Sequence, residues 1–173
     1  MRNTAFFAAG FVLLVLQAQL FRVLGYVHVP GMVPSLVLPL ILFMGVHEYS
    51  LPRGASVAFA LGYATDLIGI APIGLYTVTY VALFLLARGA GVRLAAQTTW
   101  MQVVLALAFT LVHSVMLLIL IAIFGRDAYA PRTLYPLILP HVLSTAAIAP
   151  LVFRLAQRIH SATTAKASGG ALT

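Results

Sequence analysis

Proton transfer, nucleophilic attack and ion binding need particular side chains, and this sequence offers few of them. Three acidic residues stand in a chain of 173, beside ten basic residues, five histidines and no cysteine. No two carboxylates share an apolar stretch, so the paired acids of general acid–base work are missing. There is no G-x-S-x-G and no phosphate-binding Gly-rich loop. His113 and Ser114 are adjacent, and neighbours on a helix point about 100° apart, a poor start for a nucleophile and its base. Neither H-x₃-H nor H-E-x-x-H occurs, and thiolate metal sites are ruled out by composition. His113 and His141 read as interhelical hydrogen-bonding groups. The expectation is a protein that is not an enzyme, with no metal and no cofactor.

One residue stands apart. Asp66 is the only acid well inside an apolar stretch, where a charge is costly. Around it Ala55, Ala58, Gly62, Thr65 and Gly69 recur at helical spacing and make one slim face, which lets another helix backbone approach. Asp66 should therefore point into a helix interface. Its functional reading is a proton or ligand site; its structural reading is a polar anchor, neutral or paired. Arg22, in the same outer half of the molecule, is the candidate partner. At the other face, Glu48 with His47 and Arg53 suggests a solvated interfacial ion pair of little energetic worth.

The elements that position these residues are membrane spans. Residues A, V, I, L, M, F, W, Y and C make up 62% of the chain and charged residues 8%, with mean hydropathy +1.07. A soluble domain carries about 25% charged residues and could not bury this much apolar surface in one core. No charged residue falls between Arg2 and Arg22, Arg22 and Glu48, Asp66 and Arg88, Arg93 and Arg126, or Arg132 and Arg154. Roughly 20 apolar residues cross about 30 Å of hydrocarbon, and backbone polar groups there demand helices. The alternation of a membrane β-barrel is absent. Six spans are predicted, over 4–26, 33–48, 55–70, 73–88, 100–124 and 135–153. Only Ala71 and Pro72 separate the third from the fourth, a tight helical hairpin.

The first span follows Arg2 like a secretory leader, but no A-x-A-like cleavage site follows it, and it reads as a retained helix. Pro34, Pro39, Pro136, Pro140 and Pro150 fall in or beside the second and sixth spans and can kink them. The net charge of +7 forms no patch suited to nucleic acid. Arg2, Arg53, Arg88, Arg93, Arg154, Arg158 and Lys166 fall on one side, against Arg126 and Arg132 on the other, with Arg22 inside a span end. The positive-inside rule puts both termini in the cytoplasm. Residues 1–160 form a single transmembrane domain, and the small polar stretch 161–173 reads as a disordered cytoplasmic tail.

The stretch 52–75, PRGASVAFALGYATDLIGIAPIGL, resembles the signature region of the rod shape-determining protein MreD family. Arg53-Gly54, Gly62, Asp66-Leu67, Gly69, Pro72 and Ile73-Gly74 occupy the places of that pattern. Pro34 opening the second span and Pro150 before a basic tail agree with it. The match is close over about 25 residues and loose over most of the chain; the segment 62–66 is more polar than a plain aliphatic version. The resemblance implies a multi-pass component of the bacterial inner membrane, working without catalysis in the cell-wall elongation complex. Its partners would be an MreC-like protein, a RodA-type glycosyltransferase with its transpeptidase, and the MreB filament system. It also implies an all-α fold similar to the substrate-binding subunits of energy-coupling-factor transporters. That likeness supplies the competing expectation, a small-molecule uptake subunit with Gln17, Gln19, Asp66, Tyr76, Tyr80, His113 and His141 around a cavity.

Overall fold

The computed structural model describes residues 2–26, 33–47, 50–69, 72–90, 98–124 and 131–169. Among these residues are six α-helices and no strand. They are α1 (Arg2–Tyr26), α2 (Val37–His47), α3 (Leu51–Ile68), α4 (Leu75–Gly89), α5 (Thr99–Phe124) and α6 (Pro131–Gly169). Three contain stretches long and apolar enough to cross a membrane: Thr4–Val23, Thr99–Phe124 and Leu137–Thr163. Their outward faces carry large apolar side chains, among them Phe11, Leu16, Leu111, Ile119, Leu143 and Leu151. Leaving such surface in water would be unfavourable, and a lipid environment removes the cost.

Helix α2 departs most from its predicted form. The sequence predicts a span over 33–48, whereas the helix has only 11 residues and a length of about 16 Å. Every residue from 37 to 46 is buried, and all five other helices pack around it. The composition VLPLILFMGVH explains this, since a helix apolar on all sides belongs in the middle of a bundle. Pro39 sits in the first turn, where a missing N–H costs nothing, so it does not kink the helix.

The α3–α4 hairpin is the tightest pairing. Pro52 occupies the first turn of α3, which begins four residues before the predicted span. A Cβ at Gly62 would lie 2.6 Å from Thr77 Cα, so the α4 backbone runs directly over this glycine. Gly54, at the other end of the hairpin, meets the ring of Phe84. Ala58 and Gly62, the buried members of the slim face, together with the buried Gly54 and Leu61, thus set the distance between the two helices.

Helix α6 is the second correction. It has 39 residues, about 58 Å of helix, and continues to Gly169, so 161–169 of the stretch read as a tail are helical, while 170–173 lie outside the described residues. The run 154–168 holds neither Gly nor Pro, and Ala, Arg, Gln and Lys are good helix formers. Thr163 also returns its hydroxyl to the Ile159 carbonyl at 2.8 Å. Pro140 and Pro150 lie within this helix without ending it.

Candidate functional site

Asp66 lies two residues before the end of α3, with 2% of its surface exposed. Its Oδ1 accepts the Tyr76 N–H at 2.8 Å. Its Oδ2 accepts the N–H groups of Gly74 and Thr77, both at 3.0 Å, and the Thr77 hydroxyl at 2.5 Å. These are donors from the first turn of α4, whose N–H groups have no partners within their own helix. The Leu75 N–H reaches the Pro72 carbonyl at 3.3 Å, and the ladder of α4 starts with Val78 on Gly74. A side chain of one helix thus caps the next across a short turn. The partial positive charge of the α4 terminus favours a carboxylate there, and all four contacts are donors, as a carboxylate requires.

The surrounding sequence is what makes the turn possible. Gly74 precedes α4 with φ of +101°, a left-handed conformation that glycine adopts without strain. Gly69 closes α3 by giving its N–H to the Thr65 carbonyl at 2.9 Å. Gly62 lets Thr77 come close enough to reach Asp66. Of the residues singled out from sequence, Gly62, Asp66, Gly69, Pro72 and Gly74 converge on this turn. Arg53 is exposed at the opposite end of the hairpin.

Arg22 is not the partner of Asp66. Among the described residues no ion pair joins them, and the carboxylate is occupied by the α4 terminus. Arg22 instead lines a cavity of about 400 Å³ beside the turn, with Gln17, Thr65 and Tyr76 as its polar walls. Leu14, Ala18, Phe21, Val33, Ile68 and Gly69 complete the lining.

A second polar junction lies next to this cavity, where chain enters α2. The Leu36 N–H donates to Gln17 Oε1 of α1 at 2.9 Å, and the Ser35 N–H to Thr145 Oγ1 of α6 at 3.0 Å. His141 Nδ1–H donates to the Val33 carbonyl at 2.7 Å. Irregular backbone inside a membrane protein must be satisfied by protein groups, and three side chains from two helices do this here. His113 is buried against the rings of Tyr80 and Tyr76, at centroid distances of 5.6 and 6.1 Å. His113 Nδ1 and Ser35 Oγ are buried without a hydrogen-bond partner.

The proposed uptake residues therefore divide. Gln17 and Tyr76 line the cavity; Gln19, Asp66, Tyr80, His113 and His141 do not. Thr77 and Thr145 carry roles that sequence reasoning missed, since a lone Thr in an apolar helix gives no sign of what lies opposite it. Glu48 lies outside the described residues, while His47 stacks on Phe43 at 4.1 Å. No group of three His, Cys, Asp or Glu able to hold a metal occurs among the described residues.

Set against protein-family models, curated proteins and solved structures, the chain matches none of them.

Proposed function

We propose that this chain is a non-enzymatic inner-membrane component of the bacterial cell-wall elongation complex, acting in maintenance of rod shape as MreD-like proteins do. The observation that carries the proposal is the α3–α4 hairpin. Gly62, Gly69, Pro72 and Gly74 of the MreD-like stretch gather around Asp66, and both oxygens of that carboxylate are engaged by donors of this chain. Such a motif builds a rigid hairpin, and rigid apolar faces serve partner helices in a bilayer, where close packing replaces the hydrophobic driving force. The chain crosses the membrane six times with both termini cytoplasmic; the second crossing is made by α2 together with the non-helical chain at 33–36 before it, enclosed by the other helices, and α3 and α4 complete the bundle. Its partners are an MreC-like protein, a RodA-type glycosyltransferase with its transpeptidase, and the MreB filament system. Depletion turns rod-shaped cells round, and a pull-down from native membrane recovers the MreC-like and transpeptidase partners. Normal rods after depletion would overturn the proposal.

A second reading is favoured by the cavity beside the turn, whose polar walls and volume suit a small solute. Under it, the chain is the binding subunit of an energy-coupling-factor type uptake transporter. A solute that co-purifies with the protein, and recovery of transporter ATPases in the same pull-down, would select it.

A further inference from the structure

Arg22 poses a problem that the hairpin does not solve. It falls within the candidate span Thr4–Val23, and an arginine there demands a counter-charge or access to the membrane interface. The one acid among the described residues, Asp66, is engaged by the α4 terminus. Arg22 opens instead on the cavity of about 400 Å³. The other polar groups on that cavity add donors. Gln17 uses its Oε1 on the Leu36 N–H, which leaves its amide N–H₂ as the remaining group. Tyr76 brings a phenol. Leu14, Phe21 and Ile68 make the rest of the wall apolar. One cation, further donors and an apolar flank at the end of a span match the headgroup phosphate of a lipid with its chain alongside.

We infer that this cavity seats the phosphate of a membrane phospholipid, with Arg22 as its counter-ion and Gln17 and Tyr76 as hydrogen-bond donors. The inference rests on the chain lying in a bilayer and on the first of the two readings, since the uptake reading gives the same cavity to a solute. Arginine suits the task because its planar fork binds two phosphate oxygens at once, while a lysine is a single point of charge. Asp66 does not oppose the anion strongly, since its charge is compensated by the N-terminus of α4.

Native mass spectrometry of the full chain, purified in detergent and supplied with defined lipids, tests it. Wild type retains phosphatidylglycerol and phosphatidylcholine, which carry a phosphate, and not diacylglycerol, which does not. Arg22→Gln weakens retention roughly fivefold, and Arg22→Lys falls between. Ala18→Trp fills the cavity and also lowers retention with Arg22 intact, so the outcome does not depend on one variant folding. Arg154→Gln, an exposed arginine on α6, leaves retention unchanged. Diacylglycerol held as well as phosphatidylglycerol overturns the inference, as does retention unaffected by both Arg22→Gln and Ala18→Trp. Displacement by millimolar inorganic phosphate also overturns it, in favour of a soluble anion. A chain that fails to enter vesicles defeats the membrane placement itself, whereas one that inserts and holds lipid regardless of Arg22 defeats only the seat.

Discussion

Asp66 decides whether α4 begins where it does. Each oxygen faces donors, so an amide is a poor substitute: the N–H₂ of Asn would confront a backbone N–H wherever it was placed. Asp66→Asn is therefore expected to destabilise the protein, and Asp66→Leu to do so more, by about 2–4 kcal/mol for the loss of several charge-assisted bonds in a buried site. Denaturant titration in detergent micelles measures the order; equal stability of Asn and wild type would show that the contacts to Oδ1 and Oδ2 do not matter. The capping of the chain before α2 makes a similar demand on His141. Replacing it by Phe keeps the ring and leaves the half-buried Val33 carbonyl without its donor, a loss of about 1 kcal/mol by the same titration.

At the level of elements, the α3–α4 pairing depends on what each glycine faces. A methyl at Gly62 would meet the Thr77 backbone, which cannot move without pulling its N–H from Asp66. A methyl at Gly54 would meet the Phe84 ring, which has side-chain torsions with which to yield. Gly62→Ala is accordingly expected to cost about 1–3 kcal/mol, with Gly54→Ala the milder of the two. Thermal unfolding of both variants reads the difference; the reverse order would mean that the hairpin spacing is set elsewhere. Helix α2 shows the same logic from the opposite side. Its all-round apolar surface looks like a short span when read along the chain, and becomes an inner helix once other helices surround it.

For the whole molecule the open prediction is topology. The chain has no cysteine, so single introduced thiols report their own side without background. Ile73, 73% exposed at the α3–α4 turn, is expected to accept a membrane-impermeant maleimide from outside intact cells when replaced by Cys. Arg158→Cys, at an exposed position of α6, is expected to label only after permeabilisation. Labelling of both from the same side would refute the six-pass arrangement. Under this arrangement the cavity beside Arg22 opens at the outer interface, and the extended end of α6 projects toward the cytoplasm.

Taken alone, the sequence established the class of molecule, because long charge-free intervals and the backbone's need for internal hydrogen bonds leave a helical membrane bundle as the solution. It also marked the third helix as the unusual one, because the spacing of Gly62 and Asp66 is local and a helix converts it directly into a face. What lies opposite that face is not local. Asp66 meets the start of α4 and not Arg22, because nearby backbone N–H groups already fill its oxygens. Ser35 finds Thr145 across a separation of 110 residues, and Val33 finds His141 across 108. Helical periodicity reports which side of a helix seeks cover. Only the tertiary structure decides which helix provides it, since many apolar faces are compatible and hydrogen bonds between distant residues select among them.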